Sequence, residues 1–173
     1  MPTPVVLDKT ITKVIENYSF GTLSTEVLNN LFKDGRIAAH FMEEMLAQDF
    51  GLTRISGCQD HDLVDPSDTS LRYEEKTFTR GGCKFVPSNM LGQGRHFNQE
   101  VFEKKASGLI YAIVSVVNFP EIKIRFVKGT DLLPLYPKGE ISEEVIQELQ
   151  QHQRCLESLS EFPPLQPPRF QNE

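Results

Sequence analysis

Ser70-Leu-Arg-Tyr-Glu-Glu-Lys-Thr-Phe-Thr79 is the stretch on which the fold turns. In a strand, residues i and i+2 point to the same face. Leu71, Tyr73 and Glu75 then share one face, and Arg72, Glu74, Lys76 and Phe78 the other. A charged set followed on the same face by Phe78 suits a cleft rim better than open solvent. Just upstream lies Asp60-His-Asp-Leu-Val-Asp65. If Asp62 ends the neighbouring strand, two carboxylates and one ammonium converge on one point. Metal-assisted phosphodiester hydrolysis needs that set. Hard oxygen ligands hold Mg²⁺, and a nearby lysine positions or deprotonates the attacking water. The plain alternative is a polar hairpin whose surface ion pair contributes less than about 1 kcal/mol.

Outward from this strand, the pattern alternates helices and strands. Thr10–Tyr18 reads as a short helix with Ile11, Val14 and Ile15 on one face. Thr25–Phe32 reads as another, with Ser24 or Thr25 as N-cap. Lys33-Asp34-Gly35 breaks the pattern. Arg36–Phe50 repeats Ile37, Phe41, Met45 and Leu46 at helical spacing, and Gly51 should end it as a left-handed glycine. Leu52–Ser56 and Leu63-Val64 read as strand, with a turn at Pro66-Ser67-Asp68. Arg80–Gly94 reads as a loop carrying the basic residues Arg80 and Lys84, with Arg95 just after it. Arg95–Lys105 reads as a short helix. Leu109–Asn118 is apolar on both faces, as a central buried strand would be. Ile122–Val127 alternates like a half-exposed one. Ser142–Cys155 reads as a helix, and the chain from Phe162 is proline-rich.

The order implies an α/β fold, a mixed central β-sheet flanked by helices. Residues 1–162 should form a single domain, with a helical segment over residues 1–33 and a proline-rich tail over 163–173. At 173 residues, 39% hydrophobic and 24% charged, the chain has the make-up of one soluble domain with a proper core. No apolar run is long enough for a membrane span, and Met1-Pro-Thr-Pro4 carries no signal-peptide pattern. Cys58, Cys83 and Cys155 have no metal-type spacing and are odd in number, which points to free thiols in a reducing, cytoplasmic setting. The net charge of −6 argues against nucleic acid as a partner, though a local basic groove can coexist with acidic outer faces.

From about Asn29 to Leu133 the chain resembles the PD-(D/E)XK nucleases, and within them the small homodimeric type II restriction endonucleases similar to PvuII. Asp62, with Val64 and Asp65 following, and then Tyr73-Glu74-x-Lys76, carry the resemblance, with two extra residues between the halves. Leu31-Phe-Lys-Asp-Gly35 resembles the segment that opens the family's long helix, and Gly108–Val117 its central strand. The resemblance implies a restriction-endonuclease-like fold and Mg²⁺-dependent cleavage of double-stranded DNA at a short palindromic site. Asp62, Glu74 and the main-chain carbonyl of Glu75 would hold the metal, and Lys76 would activate water. Asp34 would meet the minor groove. Arg95-His96-Phe97-Asn98 resembles the segment that enters the major groove, with Arg80 and Lys84 beside it. A homodimer with one site per strand is implied, and a companion DNA methyltransferase is expected as a separate protein; the apolar residues of the N-terminal segment, among them Val5, Leu7, Ile11 and Ile15, read as its interface or equally as ordinary core packing.

The chain departs from the family in places. Gln59 stands where the family has a glutamate, only Arg95-His96 stands for a run of histidines, and Lys104 or Lys105 falls where a tyrosine is expected. Several candidates also have ordinary structural readings. Asp34 reads as a turn residue, Asn98 as an N-cap, His96 as a helix cap, and Arg95 as a phosphate contact only. Glu43 and Glu44 could supply a helix carboxylate to the site, with a solvated helix face as the plainer reading. His40, His61 and His152 carry no assigned role. Two other functions fit the same residues: a structure-selective nuclease of the same superfamily, and a non-catalytic DNA-binding module whose carboxylates are incidental.

Overall fold

Thr10–Val14, expected as helix, is a strand, and it is the first element of the sheet. The computed structural model describes residues 1–57 and 60–142. Within that span β1 (Thr10–Val14) is followed by α1 (Thr25–Phe32), α2 (Gly35–Phe50), β2 (Thr53–Arg54), β3 (Leu63–Val64) and β4 (Arg72–Phe78). Then come β5 (Cys83–Lys84), α3 (Gln99–Ser107), β6 (Ile110–Ser115), β7 (Glu121–Lys128), the single turn α4 (Gly129–Leu132) and β8 (Glu140–Ile141). Residues Met1–Ile141 form one compact unit. The helix expected over Ser142–Cys155 and the proline-rich tail lie outside the described residues, apart from Ser142 itself.

Six strands make one mixed sheet in the order β1-β7-β6-β4-β3-β2, and β5 pairs with β8 separately. β4 and β6 are parallel, from Tyr73 opposite Ile110 to Phe78 opposite Ser115. A parallel pair needs a crossover, and α3 supplies it. The neighbouring pairs are antiparallel. The architecture is therefore mixed α/β, with the strand read first from the sequence at its centre.

One face of the sheet packs on α2. Ala38, Met42, Leu46 and Phe50 recur at four-residue spacing and meet Tyr73, Val114, Ile124 and Phe126. Gly51 ends α2 in the left-handed region (φ 66°), as the sequence predicts. The other face is closed around Phe85, Phe102 and Tyr111, with Phe85 5.5 and 5.1 Å from the latter two rings. Gly129 allows the chain to turn tightly under α3. A Cβ there would lie 1.8 Å from the Ala106 carbonyl oxygen.

Only Thr25–Phe32 is helical before residue 33, capped by Ser24, whose hydroxyl accepts from the Val27 N–H at 3.3 Å. Ile11, Val14 and Ile15 satisfy helical spacing, but Thr-Ile-Thr-Lys-Val is rich in β-branched residues, which favour strand. Pairing of β1 with β7, Thr10 opposite Arg125, also covers an edge β7 would otherwise expose. The helix expected from Arg95 begins at Gln99 because Asn98 is its cap; the Asn98 side-chain oxygen accepts from the Val101 N–H at 3.0 Å. The loop from Arg80 to Gly94 contains β5 and a 3₁₀ turn at Ser88–Met90.

Candidate active site

The two-residue strand β3 decides where Asp62 falls. β3 pairs with β4 antiparallel, Leu63 opposite Tyr73 and Val64 opposite Arg72. Asp62 lies in a bend just before this pairing, beside Tyr73, Glu74 and Glu75. Main-chain bonds hold Asp62 from both sides: its N–H donates to the Tyr73 carbonyl at 3.0 Å, and its own carbonyl accepts from the Ile55 N–H at 2.8 Å. Its side chain turns back over the end of the pairing, where Oδ2 accepts from the Glu75 N–H at 2.8 Å. Glu74 and Lys76 share a strand face, and the Lys76 ammonium donates to Glu74 Oε1 at 3.0 Å. Both side chains are largely shielded, 13% and 19% exposed. Asp62, Glu74 and Lys76 thus come together as the sequence requires of them.

The electrostatics follow from that crowding. Burial and then the Glu74 carboxylate push the Asp62 carboxyl up to about 6, against the pull of the Glu75 N–H and Lys76. Glu75 points to the opposite face, toward α2. It is 4% exposed, and its Oε1 accepts from the Thr77 hydroxyl at 2.7 Å. Burial pushes its carboxyl up to about 8, so it is largely protonated at neutral pH. Its side chain therefore does not join the Asp62 pair. Its main chain does: N–H and carbonyl of one strand residue leave on the same edge, and the Glu75 N–H already bonds Asp62.

Glu43 belongs to this neighbourhood, contrary to the reading of a solvated helix face. Its side chain is 13% exposed, whereas that of Glu44 is 56% exposed. Its charge raises both Asp62 and Glu75. Arg54 on β2 holds it with two bonds, from Nε at 3.0 Å and Nη2 at 2.8 Å. His61 also acquires an environment. Burial and then Arg72 push its imidazole down, while Glu74 and Asp60 act to raise it and Lys105 to lower it. Its Nδ1 is buried without a hydrogen-bond partner.

The residues assigned to DNA have local roles in the structure. Asp34 caps α2, accepting from the Arg36 N–H at 2.9 Å and pairing with its guanidinium at 2.8 Å. Arg95 donates to the Ser88 and Leu91 carbonyls at 2.5 and 3.3 Å, which ties down the loop before α3. Asn98 is the N-cap described above. Lys84 pairs with Glu140 at 3.0 Å across β5 and β8. Arg80 and His96 are exposed. These residues are not gathered around Asp62 by any contact seen here.

The donor set suits a hard divalent cation. Among the described residues no three His, Cys, Asp or Glu side chains form a ready metal cage. The Asp62–Glu74 pair with the Glu75 carbonyl is a smaller all-oxygen set, and Mg²⁺ is commonly bound by one or two carboxylates with water completing its shell. Two neighbouring carboxylates, one of them held at about 6, also gain from a cation between them. No known protein family, curated protein or solved structure matches the chain.

Proposed function

We propose that this protein is a Mg²⁺-dependent deoxyribonuclease with a restriction-endonuclease-like core, a member of the PD-(D/E)XK superfamily that cuts double-stranded DNA at a short palindromic site as a homodimer. The observation that carries the reading is the Asp62 carboxylate held at 2.8 Å on the Glu75 N–H, next to Glu74, whose own carboxylate takes the Lys76 ammonium at 3.0 Å. The layout of the sheet supports it. The strand bearing Glu74 and Lys76 lies between the short strand that presents Asp62 and the parallel strand β6 reached through α3.

Asp62, Glu74 and the Glu75 carbonyl would hold the ion. Bound there, Mg²⁺ supplies charge against the phosphate oxygens and a more acidic water. Lys76 would orient the attacking water toward phosphorus, and Glu74 holds its ammonium at 3.0 Å. The Glu75 N–H fixes the rotamer of Asp62, so the acid needs little reorganisation to receive the ion. On the far face the protonated Glu75 and the Arg54-held Glu43 close the site from behind. Arg80, Lys84, Arg95 and His96 are the proposed DNA contacts, and their exposure is compatible with that role.

A Mg²⁺-dependent digest of long unmethylated DNA, with the fragment ends sequenced, tests the reading. Discrete fragments with a common end sequence are expected. Asp62→Ala and Lys76→Ala, each checked for a native circular dichroism spectrum, should lose cleavage and retain specific binding. Near-full cleavage by either variant ends the assignment. Cutting of branched DNA with intact linear duplex would replace it by the junction- or repair-type nuclease of the same superfamily.

A further inference from the structure

A second site adjoins the acid pair at the foot of the sheet. A cavity of about 320 Å³ opens where β4 and β6 begin and β7 ends. Its polar lining is Ser70, Arg72, Ser107, Lys128 and Thr130. Two cations and three hydroxyls line it; the Ser70 hydroxyl donates to Asp68 at 2.6 Å and the Ser107 hydroxyl to the Glu103 carbonyl at 2.7 Å, so Arg72, Lys128 and Thr130 are the groups that face a ligand. Neither Arg72 nor Lys128 makes an ion pair among the described residues. Their charges are available to a ligand.

We propose that this cavity holds a nucleotide phosphate of the bound strand, next to the bond that is cut. The inference rests on the nuclease reading above and names a part of the substrate which that reading leaves unassigned. Position supports it. Arg72 lies on the same strand face as Glu74 and two residues before it, about 7 Å along the strand. Size supports it too: the cavity is at the small end of ligand pockets. Its remaining wall, from Leu71, Leu109 and Ile110, is apolar and suits a sugar or base edge beside the phosphate. Guanidinium and hydroxyl donors are the usual partners of phosphate oxygens. The chemistry recognised, a nucleotide phosphate, is shared by a strand and a free mononucleotide, and the experiment separates them.

The test uses the full chain and the double variant Arg72→Ala/Lys128→Ala; both side chains are exposed, so their removal leaves the core intact. First, 2′-deoxyadenosine 5′-monophosphate is titrated without metal while the amide resonances of Ser107, Gly108 and Thr130 are followed. Saturable shifts are expected in the parent protein and at least about tenfold weaker binding in the variant. Second, the variant's KM for DNA in the Mg²⁺ digest should rise about tenfold with kcat unchanged, since phosphate contacts hold substrate without doing chemistry. Silent amides together with an unchanged KM overturn the proposal. Mononucleotide binding with an unchanged KM overturns the strand contact and assigns the cavity to free nucleotides. A protein that binds the mononucleotide through Arg72 and Lys128 but cuts no DNA sinks the nuclease reading and leaves the phosphate site standing.

Discussion

Acidifying the solution from pH 7 to pH 5 should weaken Ca²⁺ binding at the Asp62–Glu74 pair about tenfold. Asp62 is held at about 6 in the absence of the ion. A cation can use this carboxylate only after its proton leaves. At pH 7 roughly one molecule in ten carries that proton, and at pH 5 roughly ten in eleven do, so the free site falls by about a factor of ten. A carboxyl at the ordinary value of 3.8 would change the affinity by less than about 10% over the same range. Glu75, pushed to about 8, stays largely protonated across this window and adds little. Calorimetry in two buffers of different ionisation enthalpy measures both quantities. About half a proton should leave per ion bound near pH 6, and Asp62→Asn should abolish both the release and most of the affinity. A Kd that is flat from pH 7 to pH 5, with no proton release at pH 6, refutes the argument that burial and Glu74 together govern Asp62.

Further outcomes follow from neighbouring features. Glu43→Gln removes a charge that raises Asp62, so the midpoint of the calcium-binding pH profile should move to lower pH; an unmoved midpoint would place Glu43 outside the site. Glu75 is raised from 4.5 to about 8, so the stability it favours is present below 4.5 and is lost as pH rises through 8. Glu75→Gln should therefore be near-neutral in urea unfolding at pH 5 and stabilising by about 3 kcal/mol or more at pH 9, and a pH-independent difference would contradict it. Gly129→Ala forces a Cβ into the Ala106 carbonyl and should cost about 3 kcal/mol or more, seen as a lower Tm.

The strand Arg72–Phe78 could be read because seven consecutive residues carry an alternating pattern and are neither glycine nor proline. Its site residues came with it, since Glu74 and Lys76 need only the period of a strand to share a face. Asp62 was legible as a candidate, but its place beside Glu74 depends on the pairing of a two-residue strand, which no local pattern encodes. Glu43 was legible only as an option beside the plainer reading of a solvated helix face. A helix glutamate looks solvated until the strand that covers it is known, and here Arg54 of β2 does the covering. β1 was misread for a related reason, because five residues are too few to separate helical from strand spacing. β5 and β8 owe their existence to each other across more than fifty positions, with Cys83 opposite Ile141. Asp34 and Asn98 carried two readings each, and the capping one is what the backbone around them uses.

The pairing of β1 with β7 also says something about how the chain must be made. Thr10 and Arg125 lie 115 positions apart. β1 leaves the ribosome long before β7 and finds its partner only after nearly the whole described chain has followed. Contacts so distant in sequence slow folding, because a long loop must close before they form. During that interval the exposed segment is protected by Thr10, Thr12 and Lys13, three polar residues in five, which leave it too polar to be a strong template for another strand.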